Sequence, residues 1–144
     1  MTLFIDLDSG SPPMQLIETL TAPEATIQAK QPVDDAATLV LEFSGSLNTI
    51  TTGIFFLENA GFFTSWLNQK LKKTVIDLRQ VEYLNSMAIG HITQYCIALD
   101  KEQIIVEVVV IKGSEVHSIL QFCGFFDLPG IRLQEMEALP ETQP

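Results

Sequence analysis

Thr74–Gly90, TVIDLRQVEYLNSMAIG, decides how this chain is read. Val75, Ile76 and Leu78 give the first half the apolar, β-branched character of a strand. Ile89, Ile92, Cys96 and Leu99, spaced three and four apart, carry the second half into an amphipathic helix. The strand breaks at Asn85, and Ser86 falls in the first turn of the helix. A hydroxyl there lies among unbonded N–H groups at the positive end of the helix dipole, a position that favours an added phosphate.

Working outward, the 144 residues make one domain, and a hydrophobic content of 47% is enough to build its core. The formal charge of -10 argues against nucleic acid and anionic membrane as partners, because every approach to their phosphates is repulsive. A basic or neutral protein partner fits better. The only cysteines, Cys96 and Cys123, fall on the apolar stripes of predicted helices and read as small buried hydrophobes in a reducing compartment, which places the protein in the cytoplasm. The opening MTLFIDLDSG lacks a basic run and a long apolar stretch, and no later segment reaches an uncharged spanning length, so neither a targeting signal nor a membrane segment is expected.

Residues 1–22 read as an amino-terminal extension, with apolar pieces at Leu3–Leu7 and Met14–Leu20 separated by the turn-rich Ser9–Pro13. Ala25–Lys30 reads as an edge strand, joined through a polar turn to a sheet strand at Thr38–Phe43, so that the two form a hairpin. Thr51–Leu71 is helical in spacing but carries two apolar stripes: Phe56, Ala60, Phe63 and Leu67, and beside them Phe55, Phe62 and Trp66. One helix face cannot bury both. The second stripe is covered by the amino-terminal extension or by a second copy in a homodimer, with a ligand groove the third option. Gln103–Ile111 is almost continuously apolar, as expected of a strand covered on both faces. The following helix has Ser114 as N-cap, Val116, Ile119, Leu120 and Cys123 as its buried stripe and Gly124 as its stop. Residues 135–144 read as a frayed acidic tail.

Several of these segments, taken in order, resemble the STAS domain, the fold of bacterial anti-sigma factor antagonists. That family places Asp-Ser-Ser/Thr-Gly-Leu-Gly after a hydrophobic strand, where this chain has Asn85-Ser86-Met87-Ala88-Ile89-Gly90. Leu39–Asn48 is similar to the family's second strand and its Gly-Glu-Leu-Asp turn, and Gly124–Leu128 to its closing segment. The resemblance implies an α/β fold over residues 23–134, a mixed β-sheet with helices mainly on one face. It further implies a regulatory binding module for a GHKL-type anti-sigma factor or serine kinase. Phosphorylation of Ser86 would end that binding, the partner surface being carried by Asn48, Thr51, Asn85, Ser86, Met87, Ala88, His91 and Gln94.

Asn85 and Asn48 stand where the family has Asp, and each removes a negative charge from the expected interface. Met87 replaces a second hydroxyl with an apolar, adaptable side chain. These departures point to a partner with a less basic docking surface, or to a domain that no longer takes phosphate. In the latter case it would serve as a structural subunit of a larger complex, stressosome-like or transporter-associated. A plain helix-start hydroxyl would need no kinase. No metal or cofactor is expected, since His91, His117, Cys96 and Cys123 include no close ligand pair. Nor is an enzyme expected: the Gly-x-Ser-x-Gly of a nucleophile elbow and a phosphate-cradling glycine loop are both missing, and Asp77 and Glu82 flanking Arg79 read as a solvated charge cluster.

Overall fold

A computed structural model describes residues 13–138. Six strands form one sheet in the order in which they occur: β1 (Met14–Ala22), β2 (Ala25–Pro32), β3 (Thr38–Leu47), β4 (Lys73–Leu84), β5 (Ile105–Ile111) and β6 (Ile131–Met136). The first three are antiparallel, and β3 to β6 run parallel. Each parallel connection moves one strand in the same direction across the sheet. The right-handed rule for such crossovers therefore places all three connections on one face. They contain α1 (Thr49–Thr52), α2 (Ala60–Thr64), α3 (Ser86–Lys101) and α4 (Glu115–Phe122). The expected mixed sheet with helices on one face is what the chain forms.

The main core lies between the sheet and these helices. Leu39, Leu41 and Phe43 of β3, Ile76 and Leu78 of β4 and Val106, Val108 and Val110 of β5 face Ala88, Ile92, Cys96 and Leu99 of α3 and Val116 and Leu120 of α4. Burial pushes the Cys96 thiol up to about 12, so it stays protonated and acts as a hydrophobe. The apolar run before Ile111 is covered on both faces only toward its centre, where Val108, Val109 and Val110 are buried, Val109 on the second face, while Ile105 at its start is 37% exposed.

Four expectations need correction. Ala25–Lys30 does pair with β3 as a hairpin, but it is not an edge strand, because β1 pairs along its other side. The boundary expected after residue 22 therefore falls inside the sheet, and residues 1–12 of the expected extension lie outside the described residues. β1 escaped notice because it is held mainly by backbone pairing: its middle residues, Gln15–Thr19, are all exposed, so no apolar alternation marks it. At the other end Glu135 and Met136 complete β6, and residues 139–144 lie outside the described residues.

The second correction concerns Thr51–Leu71, which is not one helix. After α1 the chain takes a π-helical turn (Gly53–Glu58), breaks at Asn59, whose side-chain amide donates to the Ile54 carbonyl (2.8 Å), and continues through α2 into a 3-10 turn (Ser65–Asn68). The wider π turn re-phases the side chains. Phe55, Phe56, Phe62, Phe63 and Trp66 thereby all reach the core, and both apolar stripes are buried within a single chain.

Third, Cys123 is exposed. It is the C-cap of α4, and Gly124, in the left-handed region (φ 76°), turns the chain away before that stripe can continue. His117 is buried instead: its Nδ1 accepts the Gly113 N–H (3.0 Å), and its Nε2 lies 3.1 Å from Glu135 Oε2 without hydrogen-bond alignment. Finally, Arg79 and Asp77 form no solvated cluster, because the guanidinium clasps the Asp77 carboxylate through Nε (3.1 Å) and Nη2 (3.0 Å) with both side chains largely buried.

Gly45 closes the end of the hairpin with φ 95°, and a Cβ added there would collide with the Glu24 carbonyl oxygen, which accepts the Ser46 N–H (2.9 Å). Gly45→Ala is expected to lower stability by at least about 2 kcal/mol, combining left-handed strain with that collision. A urea titration checks this, and a midpoint equal to wild type would show that the strand end relaxes freely.

Candidate functional site

Two helix starts meet at the carboxyl ends of neighbouring parallel strands, the edge at which open α/β sheets place their sites. Leu47, the last residue of β3, pairs in register with Leu84, the last of β4, and the Asn85 N–H donates to the Leu47 carbonyl (3.2 Å). The next residue on each chain is an asparagine that caps a helix. Asn48 Oδ1 accepts from the Thr51 N–H (2.9 Å), and Asn85 Oδ1 accepts from the Ala88 N–H (2.9 Å). Each amide nitrogen is used as well: Asn48 Nδ2 donates to Glu24 Oε1 (3.3 Å), and Asn85 Nδ2 donates to Thr49 Oγ1 (3.1 Å). An aspartate could make either cap, but not the bond to Glu24; at position 85 it could only accept from the Thr49 hydroxyl, reversing that bond. At position 48 it would also oppose the Glu24 carboxylate.

Ser86 is the first residue of α3 and is exposed. Asn85 satisfies the N–H of Ala88, leaving those of Ser86 and Met87 as the helix's open donors, and no acidic residue lies in the first turn. The 16 residues of α3 give its dipole full effect at this end. Near Ser86 along the chain Tyr83 and Met87 are exposed by 50% and 41%, and Ile50, next to the Thr49 that Asn85 bonds, by 71%. Met87 begins a stripe that continues along α3 through His91 and Gln94, four and seven residues on.

Of the residues expected to carry a partner surface, the structure brings Asn48, Asn85, Ser86 and Met87 together at this corner, with Gln94 exposed two turns along α3. Thr51 and Ala88 are 1% and 0% exposed and lie beneath the surface rather than on it. His91, expected as an exposed residue, is half-buried, its ring parallel to that of Phe56 at 5.1 Å. Phe56 in turn stacks on Phe63 at 4.7 Å, and Phe63 meets Tyr95 edge-on. Phe56, Phe63, His91, Gln94 and Tyr95 line an open groove of about 200 Å3. Burial raises the Tyr95 phenol above its usual range and keeps it neutral.

Ile50, Tyr83, Thr49 and Glu24 belong to the site and were missed. Ile50 had a signal, a lone large apolar residue in the threonine-rich start of a helix; Glu24 had none, since its role depends on the hairpin bringing it to Asn48. Among the described residues no helix is long and apolar enough to cross a membrane, and no group of three His, Cys, Asp or Glu side chains could hold a metal.

The class these features define is a one-faced α/β sheet with a capped serine helix start at its carboxyl edge. The sequence profile of the STAS domain matches residues 26–138, and the chain belongs to the STAS domain family. Solved structures repeat the fold. An anti-sigma factor antagonist from Mycobacterium paratuberculosis superposes with a TM-score of 0.59 at 23% identity, covering 78% of this chain and 90% of its own. The anti-sigma factor antagonist SpoIIAA in its unphosphorylated form gives 0.57 at 15% identity over 79% and 89%. The Bacillus cell fate determinant SpoIIAA in its phosphorylated form gives 0.52 at 13% identity over 79% and 92%. No curated protein sequence matches the chain significantly.

The double use of Asn85 makes its variants informative. Asn85→Ala is expected to cost about 1–2 kcal/mol in chemical denaturation, the value of a lost N-cap. Asn85→Asp, which keeps the cap and adds a charge favoured at a helix start, is expected to fall within about 0.5 kcal/mol of wild type. An equal loss in both variants would show that the bond to Thr49, rather than the cap, holds the corner.

Proposed function

We propose that the chain is a regulatory binding module of the anti-sigma factor antagonist type. It engages a GHKL-type anti-sigma factor or serine kinase through the Asn48–Asn85 corner and is switched by phosphorylation at Ser86. The observation that carries this reading is the placement of an exposed serine at the head of a 16-residue helix, with open amides beside it and an apolar rim of Ile50, Tyr83 and Met87. In the unmodified state the rim supplies contact area that a partner can desolvate. A phosphate brings a charge of about -1.5 to -2 into the middle of that area, held by the helix-start amides. Because both capping residues are neutral, a partner shaped to this corner has no need of strong basic character there, and the added charge is left unmatched. Release follows from the cost of burying an uncompensated charge. The module works in the cytoplasm, in transcriptional control by exchange of partners.

A second reading keeps the fold and drops the switch, making the domain a non-phosphorylated subunit of a larger assembly. It is favoured by the bonds of Asn48 to Glu24 and of Asn85 to Thr49, which complete the corner without a phosphate.

Intact-mass analysis of protein from its native cells, with Ser86→Ala as control, separates the two readings. The switch predicts a phosphate on the wild-type chain that the variant lacks. It also predicts that Ser86→Asp weakens binding to a captured kinase-type partner by about 30- to 100-fold, the effect of roughly 2–3 kcal/mol of unmatched interfacial charge. An unmodified chain under all growth and stress conditions, together with equal affinities of wild type and Ser86→Asp, would sink the switch and leave the structural subunit.

A further inference from the structure

Inside a regular helix a glycine is destabilising relative to alanine, because of the backbone freedom it gives up on folding. Gly90 lies one turn inside α3, and nothing in its own fold asks for it. It is exposed and has no left-handed φ, and a Cβ built on it would find no described atom within 4 Å beyond its chain neighbours and its own helix backbone. Gly45 shows the contrast, since there the fold itself fills the space. Gly53 and Gly61 are open as Gly90 is, but they belong to the irregular run around the π turn, where the backbone changes form.

The residues around Gly90 share a second property. Between Glu82 and Asp100 the sequence holds no Asp, Glu, Lys or Arg, in a chain whose formal charge is -10. At about 3.6 residues per turn Ser86, Gly90, Gln94 and Ile97 fall on one line along α3, and all four are exposed, Ile97 by 41%. A helix face turned to water ordinarily carries charge. This one offers a hydroxyl, a bare backbone, an amide and an isoleucine, with Met87 beside its head.

We propose that this line is a docking surface and that Gly90 is its point of closest approach, where a helix of a protein partner crosses α3 with its backbone against the bare Cα. The inference rests on the reading of the Ser86 corner as a protein-docking site and extends that site about 16 Å along α3. The partner's contacting face is uncharged and made of small or apolar residues, because a charge buried over Gly90 would meet no counter-charge. A missing Cβ lets two helix backbones approach more closely than ordinary side chains allow, so contact there depends on the absence of a single methyl. A second copy of this chain is the poorer occupant, since two chains of charge -10 repel at close approach. Gly90 thus lowers the stability of the free domain and serves the complex.

Gly90→Ala and Gly90→Leu in the full chain separate fold from docking, because the two respond with opposite sign. In a urea titration Gly90→Ala is expected to raise the midpoint by about 0.2–0.6 M, the gain from a helical alanine in open space. In calorimetric titration against a purified GHKL-type anti-sigma kinase from the same cells, Gly90→Ala is expected to weaken binding about 10-fold and Gly90→Leu about 100-fold, with Ser86→Asp measured beside them. A lowered midpoint for Gly90→Ala would show that the fold itself needs the glycine, and affinities of both variants within about twofold of wild type would show that nothing approaches it closely; either result overturns the proposal. In the second case a loss of binding in Ser86→Asp leaves the corner reading standing, whereas a wild-type chain that binds no such kinase removes both. A wild-type dimer in sedimentation that Gly90→Leu dissociates would overturn the proposal by giving the face to a second copy.

Discussion

The parallel pairing of β3 with β4 is the constraint from which the rest of the site follows. With Leu47 opposite Leu84, both strands end at the same level of the sheet, and whatever follows each of them emerges side by side. Two helix N-termini brought this close present like dipole ends and unbonded amides to each other, an arrangement that invites negative charge and leaves donors to be satisfied. The chain satisfies part of that demand with the Oδ1 atoms of Asn48 and Asn85 and ties the two starts together through Thr49. The Glu24 side chain, arriving from the β1–β2 turn, adds one carboxylate to the same edge. Strand register thus sets the geometry, the caps fix the orientation of α3, and the exposure of Ser86 results from both.

The same two asparagines change meaning between sequence and structure. In sequence each reads as the loss of a charge from a family pattern. In the structure each amide nitrogen donates across the corner, Asn48 to Glu24, a bond an aspartate could not make, and Asn85 to the Thr49 hydroxyl. The constraint is strongest at position 48, where an aspartate would face the Glu24 carboxylate with no proton between them; at 85 the Thr49 hydroxyl, which can donate as well as accept, would turn to meet an aspartate. The neutral corner is an arrangement whose polar side chains are bonded to one another.

What was legible in the sequence is what burial writes into apolar periodicity. The β-branched and aromatic character of β3, the near-continuous β5 and the three-and-four spacing of α3 each reflect burial, and the order of these elements gave the fold. Three things left no such trace. β1 is held by backbone pairing that any side chains can support, so Met14–Leu20 reads only as an apolar piece of an extension and not as a strand. The π turn at Gly53–Glu58 changes the residues per turn, so Phe55 and Phe62 appear to lie on a second face when the backbone has rotated to bring them to the first. Cys123 shares the periodicity of Val116 and Leu120 but lies one residue before a left-handed glycine that takes the chain elsewhere. At the site, Ser86 and its cap were readable because a helix start has local sequence rules, whereas Glu24 reaches Asn48 only through a hairpin contact far off in sequence.

The irregular segment before β4 also bears on how a charge at Ser86 would be felt. His91 lies flat on Phe56, and Phe56 on Phe63, so the stripe of α3 that begins at Met87 is braced against an aromatic stack. Ala88, 0% exposed, and Ile92, 1% exposed, anchor the other side of the same helix in the core. A helix held on both sides has little freedom to shift when one hydroxyl at its head is modified. A phosphate at Ser86 would consequently act where it stands, by changing the charge and hydration of the corner, rather than by moving α3. The amides that would receive it are already in place, so its binding there would need no rearrangement of the chain. On the proposed reading such a surface would signal through what can dock on it, with the sheet, caps and aromatic stack holding it still.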